Sequence, residues 1–370
     1  MAITKIPAAG FTGNNFRNII INGDMSIAQR GTSSSSVTDS GYYTIDRFKW
    51  NVSASDTVTL SQSTDVPTGQ GFTNSYKVDV TTADSSIGAN EFAHIQHRIE
   101  AQNLQYLKYG TSSAETLTLS FWVKSTKTGT YCIVLEKEDN TRYDYVAEYS
   151  ISSASTWEKK TITIAPDSNI KAAGGAIDNN NGEGFNLKFV LATGSSRQGS
   201  NETWNSSTPA DGTSNQVNFL DSTSNEFYIT GVQLEVGTSA SDFEFLPHDV
   251  NEDRCLRYCE VYTGTNTHGG LYSGSAYIGH LQYKKRKRAS PTATLLTISL
   301  EFAEWGVAAR NTTSASIVNS YLSNNDAVHV QIGGFTGTSG GSTGTFSAAF
   351  GLSLTTEAGM KPFMAFNSEL

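Results

Sequence analysis

Apolar and polar side chains alternate with a period of two through most of this chain. The clearest stretch is Thr116-Leu117-Thr118-Leu119-Ser120-Phe121-Trp122-Val123, with Leu117, Leu119, Phe121 and Val123 on one face. Thr57-Val58-Thr59-Leu60 and Tyr76-Lys77-Val78-Asp79-Val80 alternate likewise, and residues 131–135, 160–164, 185–191 and 226–236 follow. Successive side chains of a strand point to opposite faces. Such runs, separated by Gly, Asn, Ser and Thr turns, therefore predict strands half-buried against a second sheet. About eight of them before residue 246 predict a jelly-roll sandwich. Trp50, Trp122 and Trp157 lie in strand contexts and are read as core or interface. Two polar stretches interrupt the pattern: residues 166–184, containing Asn179-Asn180-Asn181-Gly182, and residues 193–215, containing Trp204. Connections of that length are expected to be functional or mobile.

Phe245-Leu246-Pro247-His248 closes the first unit. Residues 249–262 read as one short linking helix, capped by Asn251 and acting as a hinge. From residue 263 a second β-rich unit starts, interrupted by the Gly/Ser/Thr-rich tract 333–344. Residues 1–17 are weakly patterned and read as an attachment arm. The expected organisation is thus all-β: an arm at 1–17, a jelly-roll β-sandwich at 18–248, a linking helix at 249–262, and a smaller C-terminal β-sandwich at 263–370.

Composition sharpens this picture. Hydrophobic residues make up 37% and charged residues 16%, so Ser, Thr, Asn and Gly fill the remainder and the core is expected to be thin. Sixteen Tyr, 18 Phe and 5 Trp supply apolar area in compensation. A C-terminal unit of about 110 residues with long loops is marginal alone, which predicts burial between subunits in a homotrimer. The formal charge of −9 disfavours nucleic acid and favours neutral sugars or proteins as partners. The N-terminus lacks the apolar run of a signal peptide, and no stretch is apolar enough to span a bilayer, so folding in a cytoplasm without membrane insertion is expected.

Several motifs resemble a known family. Asn18-Ile19-Ile20-Ile21-Asn22-Gly23-Asp24-Met25-Ser26-Ile27-Ala28-Gln29-Arg30-Gly31 and Tyr43-Thr44-Ile45-Asp46-Arg47-Phe48 resemble the opening of many bacteriophage tail-fibre and particle-surface modules. Gln96-His97-Arg98-Ile99-Glu100 and the run from Thr118 to Ser125 resemble the carbohydrate-binding-module-like jelly roll that follows in those proteins. The most specific likeness is Thr230-Gly231-Val232-Gln233-Leu234-Glu235-Val236-Gly237 with Phe243-Glu244, then Cys255-Leu256-Arg257-Tyr258-Cys259-Glu260. Cys259 there replaces the aromatic residue common in the family. Ala289-Ser290-Pro291-Thr292 and Ala365-Phe366-Asn367-Ser368-Glu369-Leu370 resemble the ending of the same modules, so the likeness runs from residue 18 to 370. It implies a trimeric fibre component of the virion, made in the host cytoplasm, that attaches non-covalently to host surface polysaccharide through the jelly roll and the C-terminal sandwich at 263–370, the expected receptor-binding domain. Other tail or baseplate proteins would hold its N-terminal arm. The rivals are a purely structural virion, baseplate or capsid decoration protein and a polysaccharide depolymerase. The resemblance carries no residue-level sugar site. The same residues also have a plain physical reading: Gly31, Gly231 and Gly237 for turns, Val232, Leu234 and Val236 as a core strand face, and Gln96, Arg98 and Glu100 as a buried polar network.

Sugar recognition needs an aromatic face and planar polar groups. The candidates are Trp204, beside Asn201, Asn205 and Arg197 in its loop, and Tyr143 and Tyr145, flanked by Arg142 and Asp144. Tyr272 and Tyr277 are candidates in the C-terminal unit. Trp204 is the leading candidate because so polar a loop offers little to bury it; the alternative is that it pins the loop to the sandwich or packs on a neighbouring subunit. The basic run Lys284-Lys285-Arg286-Lys287-Arg288 reads as a solvated edge strand protected against unwanted pairing, with contact to an anionic surface glycan as the functional alternative. Cys132, Cys255 and Cys259 are too few for a disulfide framework, and Cys255 with Cys259 lacks the remaining ligands of a zinc site, so packing cysteines and no metal are expected. No cofactor is expected; residues 178–181 with Asp221 are the weak candidates for a structural calcium, without an EF-hand pattern. Glu136, Glu138 and Asp139 sit at a polar turn where solvation accounts for them. No Gly-x-Ser-x-Gly elbow, HExxH or P-loop is present, so no catalytic residues and no enzyme are expected.

Overall fold

The computed structural model describes the backbone of residues 16–206, 209–263, 268–273, 276–295, 300–303, 310–312, 316–321, 327–333, 349–350 and 362–369. Side chains are described for these residues up to 261, and beyond that for 283–292, 327 and 367–369. Most of the expected arm, residues 1–15, lies outside the described residues. The chain forms two compact units, Met1–Pro247 and His248–Leu370.

The first unit holds strands β1 (Ser33–Val37), β2 (Phe48–Val52), β3 (Thr57–Ser63), β4 (Ser75–Thr82), β5 (Phe92–Glu100), β6 (Leu117–Ser125), β7 (Gly129–Lys137), β8 (Tyr143–Ile151), β9 (Glu158–Ile164), β10 (Glu183–Thr193), β11 (Thr203–Asn205) and β12 (Glu226–Val236). They form two six-stranded sheets, β1-β3-β4-β12-β6-β9 and β11-β8-β7-β10-β5-β2. Every pairing is antiparallel. The chain passes from β4 in one sheet to β5 in the other, back to β6, over to the β7–β8 hairpin, and back again to β9. That winding is a jelly roll, as the alternation predicts.

Leu117, Leu119, Phe121 and Val123 of β6 do share the buried face. They meet Tyr131, Ile133 and Leu135 of β7 and Phe185, Leu187, Phe189 and Leu191 of β10 in one continuous core. That core extends from Ile19 to Leu234, so the thin core expected from composition is not found in this unit. The aromatic residues explain the difference: Phe121 packs edge-on against both Tyr149 and Phe189 at 5.1 Å, and each such ring buries a large apolar area.

The residues that carry the family resemblance are structural. A bulge in β12 between Thr230 and Gln233 centres on Gly231, whose φ is +62°. It turns backbone groups of β12 toward residues 18–23: Val232 N donates to the Gly23 carbonyl at 2.9 Å, Leu234 N to Asn18 Oδ1 at 3.1 Å, and Ile19 N to the Leu234 carbonyl at 2.9 Å. Gly23 is required because a Cβ there would meet the Val232 carbonyl oxygen at 2.1 Å. Val232 and Leu234 face the core as expected, whereas Val236, at the strand end, is exposed.

In the second unit a helix runs from His248 to Leu256 and strand β13 (Cys259–Thr263) follows. The linking helix expected over 249–262 is therefore shorter, because Cys259 and its successors pair with a distant strand. The remaining strands are β14 (His268–Ser273), β15 (Ala276–Gln282), β16 (Thr292–Leu295), β17 (Leu300–Ala303), β18 (Arg310–Thr312), β19 (Ser316–Tyr321), β20 (Ala327–Gly333), β21 (Ala349–Phe350) and β22 (Pro362–Asn367). Their sheets are β13-β22-β16, β14-β15-β20-β19 and β18-β17-β21. All three cysteines are buried.

The basic run is not an edge strand; it connects β15 to β16 and ties the unit together. Lys287 Nζ is buried, 2.5 Å from Glu260 Oε2 and 2.5 Å from the Leu256 carbonyl. Lys284 N donates to both Glu260 carboxylate oxygens, and Lys285 pairs with Asp253 at 2.5 Å. Arg288 Nε donates to the Ser368 carbonyl at 2.9 Å. Removing one partner of a buried pair strands the other charge. Glu260→Gln should therefore destabilise the second unit by about 3–5 kcal/mol, read as faster hydrogen exchange at residues 255–261, and Glu260→Leu combined with Lys287→Met should recover most of that loss. Unchanged exchange in Glu260→Gln would contradict a structural role for the pair.

Candidate functional site

The outward face of the second sheet is polar. The strand registers align two rows across it: Lys49, Gln96, Lys188, Val134 and Val146, and beside them Arg98, Asn186, Glu136, Asp144 and Asn205. A third row begins with Asn51 and His94.

Residues 194–217 fold over the β8 side of this face. Ala210 joins Cys132, Val134, Val146 and Val190 in a small apolar cluster outside the main core. Around it runs an ion network. Lys188 Nζ lies 2.5 Å from Glu136 Oε2 and 2.8 Å from Asp211 Oδ1. Arg142 reaches Glu136 at 2.5 Å and Asp144 at 3.1 Å, Arg197 Nε donates to Asp211 at 2.6 Å, and Ala210 N donates to Asp144 Oδ2 at 2.8 Å. Burial alone would depress the Lys188 ammonium, but Asp211 and Glu136 hold it above the ordinary range. Burial opposes ionisation of Asp211 too, yet Lys188 and then His94 keep its carboxyl well below normal. Glu136 is thus no solvated turn residue: it is buried at the centre of the network, because β7 extends to Lys137.

The β5 side differs. Gln96 and Asn186 are only 1% and 3% exposed, whereas the neighbouring Lys49, Asn51 and Arg98 are half-buried. Gln96 Nε2, Asn186 Oδ1, Glu183 Oε1 and His94 Nδ1 have no hydrogen-bond partner among the described residues. Glu183 pairs through its other oxygen with Arg98 Nε at 3.3 Å. Burial drives its carboxyl up to about 7, partly opposed by Arg98. His94 Nε2 lies 3.2 Å from Gln96 Oε1, and burial followed by the Lys188 charge drives the imidazole down to about 3, so it is neutral in ordinary buffers. Lys49 is lowered by burial and then by Arg98. The result is a buried floor of planar amide and carboxyl groups with free donor and acceptor capacity, bordered by half-exposed cations. These atoms lie beneath the surface, so a polyhydroxylated ligand reaches them where the bordering Lys49, Asn51 and Arg98 side chains move aside. The expected Gln96/Arg98/Glu100 network is therefore buried in part and incomplete.

The sugar contacts proposed from sequence land elsewhere. Trp204 is 3% exposed, buried rather than free for a ligand. The strand β11 pairs it with Tyr145, its ring packs 5.2 Å from Tyr145 and 6.2 Å from Tyr109, and Nε1 donates to the Ala165 carbonyl at 3.0 Å. Tyr145 is likewise buried in the core. Tyr143 is half-buried, with Lys137 Nζ 5.6 Å from its ring centroid. Tyr272 and Tyr277 fall on the adjacent strands β14 and β15, and their side chains lie outside the described residues, as does the tract 334–348. Asp178 accepts from Asn140 at 3.4 Å, and Asp221 pairs with Lys127, so the two calcium candidates are engaged separately. Among the described residues no group of His, Cys, Asp and Glu side chains could hold a metal ion.

Sequence reasoning missed the first sheet's outer face. There β-pairing sets Lys77 beside Tyr228 and Tyr228 beside Lys124, and Trp157 stands next to them just ahead of β9. Trp122 points to the same side as Lys124, half-exposed, opposite Thr230 and Lys159. Period two could have found it: once Leu119, Phe121 and Val123 face inward, Trp122 must face outward.

No family model and no curated protein matches this sequence. Among solved structures, the enzymatically active domain of tailspike protein 4 from bacteriophage CBA120 aligns at 12% identity and a TM-score of 0.31, covering 60% of this chain and 22% of that one. A family 11 carbohydrate-binding module from a Clostridium thermocellum cellulase aligns at 13% identity and a TM-score of 0.29, covering 56% of this chain and 97% of that one. At such scores these likenesses fix neither ligand nor activity.

Glu183 makes the polar face sensitive to pH. Its carboxyl titrates near 7 when folded against an ordinary 4.5, so the folded state holds an extra proton between those values. Stability then falls as pH rises through that window, by at most about 3 kcal/mol for a shift of this size. Urea unfolding at pH 5 and pH 8 should show this fall, and Glu183→Gln should flatten it; an identical pH slope in the variant would refute the assignment.

Proposed function

We propose that this chain is a fibre protein of a phage virion that attaches non-covalently to host cell-surface glycan, and that the β5 side of the polar face is one contact surface. The observation that supports glycan binding most directly is the set of buried, outward-facing polar atoms on Gln96, Asn186 and Glu183 without partners. Buried polar groups in native proteins nearly always have partners. Here a ligand's hydroxyl groups would supply them once the bordering Lys49 and Arg98 side chains move aside. The virion assignment rests on the sequence resemblance. In this reading the protein is a homotrimer, residues 1–17 join it to other tail or baseplate proteins, and several weak sites per particle act together through multivalency. It is also non-catalytic: glycosidases need a free carboxylate opposite a protonated one, and although Glu183 is raised, Glu136 is held by both Lys188 and Arg142.

Gln96→Met and Asn186→Leu separate recognition from a structural role. Gln96 gives up only its contact with His94, whose Nε2 keeps Asn51 at 3.0 Å, and replacing a buried polar group with an unpaired donor or acceptor by an apolar one of similar shape is close to neutral or stabilising. Together the two changes should leave the melting temperature unchanged or raise it, while glycan-array binding and particle adsorption fall about thirtyfold, as expected for losing two hydrogen bonds of about 1 kcal/mol each. Normal adsorption with the variant verified on the particle would favour the structural decoration reading. Reducing-sugar release from host polysaccharide by the purified protein would favour the depolymerase. Light scattering showing a stable monomer at micromolar concentration would remove the trimer.

A further inference from the structure

The outer face of the first sheet carries an alternating row of cations and rings. Lys124 Nζ lies 4.3 Å from the Tyr228 ring centroid and 5.6 Å from that of Trp157, and Lys77 Nζ lies 5.5 Å from Tyr228. Acidic groups complete the row. Trp157 Nε1 donates to Asp65 Oδ1 at 3.0 Å, Asp65 also pairs with Lys124, and Glu226 takes Lys77 at 2.7 Å and the Tyr228 hydroxyl at 2.9 Å. These contacts account for both lysines and for Tyr228. They do not account for Trp122, which stands two residues from Lys124, half-exposed, with no ring or hydrogen-bond partner among the described residues. On a face otherwise made of Thr, Ser, Lys and acids, the indole offers an apolar ring face and an N–H donor that the protein itself leaves unused.

We propose that Trp122 and Trp157 form a second ligand platform, on the sheet opposite the polar face, that binds neutral glycan by stacking. The charge pattern selects the class. Lysines 77, 124 and 159 are balanced by Asp65, Asp79 and Glu226, so the patch attracts neither polyanion nor polycation. The carboxylates also ride outermost: the Asp65 and Glu226 side chains are 46% and 35% exposed, against 11% and 20% for Lys124 and Lys77. A ligand arriving at the indoles therefore meets acceptors at Asp65 and Glu226 and a donor at the exposed Lys159, which lies opposite Trp122 in the β6–β9 pair. Sugar hydroxyls serve both, while the apolar face of a pyranose covers a ring. An anionic polysaccharide would gain no net attraction from so balanced a patch. This inference extends the glycan-binding reading but does not depend on the polar face.

The test uses the full chain on an array of neutral and anionic glycans. Neutral glycans should bind, Trp122→Ala should weaken that binding at least tenfold with an unchanged melting temperature, and Trp122→Phe should restore part of it. The Gln96→Met/Asn186→Leu variant should retain the binding assigned to this platform. Neutral binding lost in that variant but kept in Trp122→Ala would overturn this platform while leaving the polar face in place. Binding confined to anionic glycans, or no binding of any neutral glycan, would overturn the proposed class. A trimer that dissociates in Trp122→Ala would show the indole to be a subunit contact instead.

Discussion

One buried ammonium organises the polar half of this sandwich. Lys188 sits on β10, a central strand, and its side chain leaves the core by simple alternation, yet it is almost fully buried. An unpaired buried charge would cost far more than a domain's marginal stability allows. The structure resolves this with Glu136 from β7 and Asp211 from a segment that returns over the sheet. Asp211 in turn recruits Arg197, and Glu136 recruits Arg142 and through it Asp144. The long polar stretch after β10 is thereby a cover nailed down by charge and not a free recognition loop.

That cover divides the molecule's surfaces by chemistry. Where it lies, outward-facing polar side chains find protein partners and become structure. Where it ends, at β5, the same kind of side chain is left with unmet hydrogen-bonding capacity. On the opposite sheet the β3–β4 connection brings one charge, Asp65, to Lys124 and Trp157, Glu226 of β12 takes Lys77, and the indoles remain half-exposed. Recognition surfaces thus occur where the fold stops satisfying its own outward-facing groups.

A similar economy governs the motifs behind the family resemblance. Asn18, Gly23 and Gly231 are used to seal a bulge in β12, and Glu260 neutralises Lys287 behind the Cys-x-x-x-Cys element. Such positions tolerate few substitutes for geometric reasons. They mark how the module is built and say little about what it holds.

The jelly roll and the inward faces of β6 and β10 were legible in the sequence, as was the helix after Pro247, because pleat and helical period are local properties of the backbone. The same alternation carries Trp122, Lys188 and Asn186 outward, although a strand context alone reads Trp122 as core or interface. The fate of those outward groups was not legible. Trp204 looked exposed because its sequence neighbours are polar, but its spatial neighbours are Tyr109, Tyr145 and the Ala165 carbonyl. Lys287 looked like one charge in a solvated run until Glu260, far away in the chain, faced it. Alternation along a strand determined which side of the sheet each residue takes. Only the tertiary structure decided which outward face is covered, since that depends on distant segments whose return is set by charge pairing and packing, and these leave no periodic trace along the chain.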